Sequence, residues 1–144
     1  MITGKFLTSN DDAASVLALR AQALPGCGRD ERDDMAIYAI TFDEDGTPGS
    51  TGRLFMDDDN VATIDMVGTI APLRGQGLGD LVMRMLLYRV LEMNLPRVKL
   101  LCPADTQTFF MRYGLTPDDE SNGLIVMRAE NAAINIEGSC HCKA

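Results

Sequence analysis

The sequence has a single histidine, His141, close to its end between two cysteines. A Ser-His-Asp or Cys-His catalytic set needs an imidazole within reach of the rest of the chain, so neither is supported. Cys140-His141-Cys142 offers three adjacent ligands where a structural zinc site takes four, and its other reading is a mobile tail. Residues 1–6 lack a basic segment followed by an apolar run, so no secretory signal is expected. No apolar run approaches the length of a membrane span, and the expected compartment is the cytoplasm. Thiols stay reduced there, so Cys27, Cys102, Cys140 and Cys142 are expected to be free rather than a disulfide framework. Basic side chains are outnumbered: 13 Lys and Arg against 21 Asp and Glu give a net charge of −8. That balance repels nucleic acid and anionic membranes and favours cationic partners such as amines. Internal repeats and low-complexity segments are lacking too.

What is present is one core's worth of apolar sequence, 46% of 144 residues, enough for one domain and short for two. Residues 1–128 read as that domain and residues 129–144, without strong periodicity, as a tail. Ser9 and Asp12 have the spacing of a capping box ahead of Ala13, Val16, Leu17, Ala21 and Leu24, which predicts a first helix ended by Pro25-Gly26. Residues 27–34 are highly charged and read as a short helix or a surface loop. Residues 35–42, 51–56 and 61–70 are β-forming runs separated by turns at residues 43–49 and 57–60, an antiparallel meander. The next helix, from Leu78 to about Met93, is apolar nearly all round and is expected to be packed against the sheet. Asn94-Leu95-Pro96 stops it, and residues 97–102 read as a buried strand. A strand, a helix and a strand in succession favour a right-handed crossover, so the strand ending near Ile70 and the one at residues 97–102 should be parallel neighbours. Residues 116–120 read as a turn and residues 123–128 as a last strand.

The stretch that organises the rest runs Val67-Gly68-Thr69-Ile70-Ala71-Pro72-Leu73-Arg74-Gly75-Gln76-Gly77-Leu78-Gly79-Asp80. Glycines at alternate positions let the backbone turn tightly and approach a ligand closely, at a helix start whose unpaired amides and dipole favour a phosphate. The Lys-Ser/Thr of a P-loop is missing, and so is a GxGxxG followed by an acidic residue. Arg74-x-x-Gly77-x-Gly79 instead resembles the Arg/Gln-x-x-Gly-x-Gly/Ala signature of the GNAT family, the acyl-CoA-dependent N-acyltransferases. Further on, Phe109-Phe110-Met111-Arg112-Tyr113-Gly114-Leu115 resembles that family's Phe-Tyr-x-x-x-Gly-Phe motif, in the family's order and separation.

The resemblance covers residues 35–128 and implies an α/β fold. Its central sheet is mixed, mostly antiparallel and of about six strands, splayed between the fourth and fifth, with helices on both faces. It implies acetyl-CoA as donor, with the diphosphate on Arg74, Gly75, Gln76, Gly77, Leu78, Gly79 and Asp80, and with Phe109, Phe110 and Arg112 beside the pantetheine or adenosine. The pantetheine would lie in the splay, and Gly68 would suit a bulge that opens it. Backbone amides near Val67, Gly68 and Thr69 would polarise the thioester carbonyl. Residues 27–34 would border the acceptor pocket, and a homodimer is admitted because family members often dimerise. No metal is implied.

Transfer to an amine needs orientation and proton transfers. Asp65, between Ile64 and Met66 in a central strand, is a candidate general base; its alternative is a structural pair with Arg53 on the adjoining strand. For the general acid the chain departs from the family, because the tyrosine position of the motif is Phe110. Tyr113, three residues on, could substitute or could be packing, and Cys102 is either a donor or a small core residue. The expected function is therefore N-acetylation of a primary amine on a small molecule or a protein. The alternatives are, from a different class, a coenzyme-A-binding sensor or partner-binding module that keeps the fold but has lost catalysis and, third, a nucleotide-phosphate enzyme.

Overall fold

Runs of β-forming residues buried on both faces, separated by aspartate turns, give the first half of the chain its meander. The computed structural model describes residues 1–11 and 13–137. Strands β1 (Thr3–Thr8), β2 (Ile37–Phe42), β3 (Pro48–Met56) and β4 (Ala62–Thr69) pair antiparallel in that order. The two inner hairpins close alike: Asp43 accepts the amides of Asp45 and Thr47, and Asp57 those of Asp59 and Val61. An aspartate side chain bonding the backbone ahead of it is a self-contained turn.

Helix α2 (Leu78–Glu92) then crosses the sheet and returns the chain to β5 (Arg97–Cys102), which lies parallel to β4. Asn94, at φ 56, stops the helix; its amide donates to the Leu91 carbonyl and that of Leu95 to Val90, the hydrogen-bond pair of a left-handed C-cap. Short helix α3 (Gln107–Met111) and strands β6 (Thr116–Ser121) and β7 (Leu124–Glu130) complete the order β1-β2-β3-β4-β5-β7-β6.

Seven strands stand where about six were expected, and two of them escaped the residue pattern. Strand β1 is an edge strand with little burial and no alternation. Residues 116–120, read as a turn, lie in β6, which is exposed throughout and contains Pro117, Asp118, Asp119 and Glu120. Proline and charge are tolerated because β6 is an outer edge. Between β6 and β7, Asn122 and Gly123 both take positive φ, so the last strand starts at Leu124 rather than Gly123 and runs on to Glu130.

The sheet is covered on both faces. Val82, Met83, Leu86, Leu87 and Val90 of α2 pack on Leu54, Ile64, Leu100 and Met127, joined by Phe110 and Tyr113. Helix α1 (Ala14–Ala23) sets Val16 and Leu19 against Tyr38 and Ile40 on the other face. Its start differs from the expected capping box. Asp12 lies outside the described residues, and the N-cap is Ala13, which has no side-chain cap. Asp11 is used instead to close the turn after β1, accepting from the Thr8 amide at 2.8 Å and the Thr8 hydroxyl at 3.2 Å. The buried face of α1 is Val16, Leu19, Arg20 and Ala23, an arginine included, while Ala21 is exposed.

Beyond β7, residues 131–137 lie back over the larger core, to which Ile134 and Ile136 contribute. The Asn131 amide donates to the Pro96 carbonyl and the Asn135 amide to that of Tyr113, both at 2.9 Å. Cys140-His141-Cys142 lies outside the described residues. Among the described residues no helix is long and apolar enough to cross a membrane.

Candidate active site

Strands β4 and β5 hold together only at Ala62–Val98, Thr63–Lys99 and Ile64–Leu100, and then part. A bulge in β4 accompanies the parting. Thr51 faces Gly68 and Arg53 faces Asp65, so Met66 and Val67 together oppose Gly52, and Met66 takes the left-handed conformation at φ 52. An extra residue bends a strand and re-aims the side chains beyond it. The bulge is thus two residues earlier than the Gly68 position anticipated for it. Gly68 meets a different need: a Cβ there would come within 2.8 Å of the Leu24 side chain and 3.3 Å of the Ala23 Cβ. Without one, the end of α1 can press onto the strand.

The split opens into a cleft of about 740 Å³. Val67, Gly68 and Thr69 form one wall, and Asp105, Thr106, Phe109, Phe110 and Arg112 line it from the segment after β5. Arg74, Gly75, Gly77, Leu78, Gly79 and Asp80 border it at the start of α2. Gln76, expected with them, is not among the described residues that line it. Ala23, Leu24, Leu73, Asp105 and Thr106 do line it and carried no signal in the sequence, since each reaches the cleft only through the packing of its element.

The loop's geometry derives from its glycines. A single 3-10 turn, Ala71–Leu73, leads into extended Arg74; Gly77, at φ 86, is the N-cap of α2 and carries no side-chain cap. The first-turn amides of a helix have no carbonyl one turn earlier to bond, so those of Leu78, Gly79 and Asp80 are available at the cleft. At Gly79 the constraint is space: a Cβ would stand 3.2 Å from Thr69 Oγ1 and 3.9 Å from the Phe109 ring. Thr69 Oγ1 donates to Ser50 Oγ at 3.0 Å, Ser50 Oγ to the Gly68 carbonyl at 2.9 Å, and Arg74 Nε to the Thr69 carbonyl at 3.2 Å. The Arg112 guanidinium, another lining group, lies 4.6 Å from the Phe109 ring centre. Two arginines, Arg74 and Arg112, therefore line the cleft.

Neither Asp65 nor Tyr113 is among the described residues that line the cleft. Asp65 is gripped at both oxygens by Arg53, from Nε and from a terminal nitrogen, each at 2.8 Å. Arg53 is buried and also bonds Asp30 at 2.5 Å and lies 3.3 Å from Asp33, which Arg20 holds at 2.9 and 3.1 Å. The geometry is that of the structural pair posed as the alternative for Asp65, extended by two carboxylates and a second arginine. Burial raises the Asp33 carboxyl, but Arg20, the Asp30 amide and the Tyr38 phenol outweigh it and hold it well below the usual carboxylate range. Burial and Asp33 in turn push the Tyr38 phenol up to about 12. Residues 27–34, the highly charged segment, thus contribute buried anchors as well as surface: Asp33 is 4% exposed in the 3-10 turn Glu31–Met35.

Tyr113 is 2% exposed, and its hydroxyl donates to Asp80 Oδ1 at 2.5 Å. Burial, followed by the Asp80 carboxylate, pushes its phenol well above the ordinary value. Cys102 sits in the larger core with its thiol 3.7 Å from the Met127 sulfur, and burial pushes that thiol up. Among the described residues no group of three or more His, Cys, Asp or Glu is placed to hold a metal ion.

Residues 9–114 match the family model described as "Acetyltransferase (GNAT) family". The chain belongs to the GNAT acetyltransferase family. Solved structures similar to this GNAT protein include Escherichia coli ElaA, 22% identical, with a TM-score of 0.74 over 90% of this chain and 100% of that one. An acyl-CoA N-acyltransferase from Pseudomonas aeruginosa is 23% identical, with a TM-score of 0.74 over 89% and 99% of the two chains. The PaiA N-acetyltransferase of Thermoplasma acidophilum, solved in complex with coenzyme A, is 11% identical, with a TM-score of 0.68 over 90% and 99%. At these identities the likeness is one of fold. A comparison with curated proteins finds no match.

Proposed function

We propose that this GNAT protein is an N-acetyltransferase that moves an acetyl group from acetyl-CoA to a primary amine by direct attack. The observation that carries the reading is the coincidence of two features: β4 and β5 part just where the uncapped first turn of α2 opens. A diphosphate on the amides of Leu78, Gly79 and Asp80, flanked by Arg74, would send the pantetheine arm into the split beside Val67, Gly68 and Thr69. Arg112 and Phe109 are disposed for the adenosine side.

In the reaction the neutral amine nitrogen forms a bond to the thioester carbon and the carbon–sulfur bond breaks. Backbone amides near Val67 polarise the carbonyl, and fixed orientation supplies most of the rate. The amine gives up its proton to water and the departing thiolate takes one from water, so that the two transfers balance. The reading gives Asp65 and Tyr113 no part in these transfers, because Arg53 occupies both oxygens of the first and burial in the core removes the second from the cleft.

That same position of Tyr113, together with Phe110 in the motif's tyrosine place, favours one second reading, a coenzyme A sensor without turnover. Calorimetry with coenzyme A and a steady-state assay of thiol release over a panel of small amines and amine-bearing peptides separate the two. Turnover with any acceptor supports the transferase. Tight binding with no turnover across the panel supports the sensor, and absence of binding removes both.

A further inference from the structure

Two helical segments of this protein carry an aspartate at their third position and treat it in opposite ways. In the 3-10 turn Glu31–Met35, Asp33 reaches back and accepts the amide of its N-cap, Asp30, at 3.0 Å. Asp80 occupies the corresponding position in α2, where the N-cap, Gly77, has no side chain to cap the first turn. Its carboxylate is drawn aside: Tyr113 donates to one oxygen at 2.5 Å and Arg84 Nε to the other at 3.0 Å.

We infer that Tyr113 and Arg84 are positioning residues, holding the Asp80 carboxylate off the first turn of α2 so that its amides stay open to the donor's diphosphate. The inference rests on the coenzyme A reading above. A carboxylate at the third helical position is attracted by the positive end of the dipole and can satisfy the amides itself. Released, Asp80 would place a negative charge where a phosphate must sit. Tyr113 is suited to prevent this because it is fixed independently of any ligand: its ring is buried against Phe109 and its carbonyl accepts the Asn135 amide. Its raised phenol keeps the donating proton. Arg84, one turn along, completes an acid-before-base pair in the favourable helical order.

The test is calorimetric titration of coenzyme A into the wild type, Tyr113→Phe, Arg84→Gln, and each of these combined with Asp80→Ala, with melting curves for all five. The Asp80 amide survives truncation of its side chain. Tyr113→Phe is expected to raise the Kd about tenfold, the scale of one charged hydrogen bond, and Arg84→Gln to raise it less. Adding Asp80→Ala should bring both back to within about twofold of the wild type, because the competing carboxylate is gone. A wild type that binds beside a folded Tyr113→Phe of unchanged Kd overturns the inference, as does a double variant no better than its single. If Tyr113→Phe does not fold, an unchanged Kd for Arg84→Gln, whose side chain is partly exposed, overturns it equally. Failure of the wild type to bind removes the donor reading itself, and the inference with it.

Discussion

Gly77 and Met66, two of the positive-φ residues at the site, differ in how replaceable they are. Gly77 has φ 86, and the nearest atom to a Cβ added there is the Ile2 side chain at 3.8 Å. Space is thus free, and only the left-handed conformation resists a side chain. Gly77→Val is expected to fold with a penalty of about 1–2 kcal/mol and to lose at least about tenfold in coenzyme A affinity as the amides of the next turn are re-aimed. Calorimetry beside a melting curve checks both. Met66 holds φ 52 without being a glycine, at the bulge that opens the cleft. A β-branched residue there is a steric outlier, whereas asparagine visits that region readily. Met66→Val should cost about 1–3 kcal/mol in denaturant unfolding, and Met66→Asn distinctly less. Gly77 was legible in the sequence because its motif announces the need for glycine. Met66 was not: Gly68 suggests a bulge nearby, but nothing at Met66 itself marks it as the left-handed residue.

Among the elements, those with strong internal pattern were read almost to the residue: β5 at Arg97–Cys102, and α2 from Leu78. Those that depend on a partner were not. Strand β6 is polar and exposed, and only β7 beside it makes it a strand. Residues 131–137 owe their place to the carbonyls of Pro96 and Tyr113 and to the core under Ile134 and Ile136. Gly114 is where that segment meets the end of α3. Its φ is 90, and an added Cβ would fall 2.0 Å from the Ala133 carbonyl oxygen. Gly114→Ala must displace the segment, with an expected loss of about 2–4 kcal/mol in unfolding. A loss no larger than that of a surface substitution would show that the segment contributes nothing to the fold. The glycine that closes the second sequence motif is accordingly read as a packing requirement rather than a ligand contact.

At the scale of the whole molecule the charges that matter for stability are few and internal. Desolvation raises the carboxyls of Asp30, Asp33 and Asp57, but Arg53, Arg20 and Lys99 respectively, with neighbouring amides, leave all three below their ordinary value of 3.8. A carboxylate whose pKa is lower folded than unfolded contributes stability in full above the unfolded value and loses it as pH falls through the folded one. The melting temperature should therefore be nearly flat from about pH 7 to pH 5 and fall steeply below about pH 4. Arg53→Met strands the carboxylates it serves, and the variant should melt well below the parent at neutral pH, since breaking one side of a buried ion pair costs about 3–5 kcal/mol. As the variant also loses the arginine that depresses Asp30, its acid transition should be shallower. Melting curves across that pH range test both.

By itself the sequence determined what is local. Apolar runs bounded by turn residues set α2 and β5, aspartate turns set the meander, and glycine spacing before a helix marked the loop that feeds α2, because each depends on residues only a few positions apart. The tertiary structure alone decided where β4 bulges, which residues of α1 reach the cleft, and that Asp65 is joined to Arg53 and Tyr113 to Asp80. Those outcomes depend on which groups, distant along the chain, become neighbours when water is excluded. A buried arginine or phenol takes whichever carboxylate the packing brings to it, and that choice is written in no single stretch of residues.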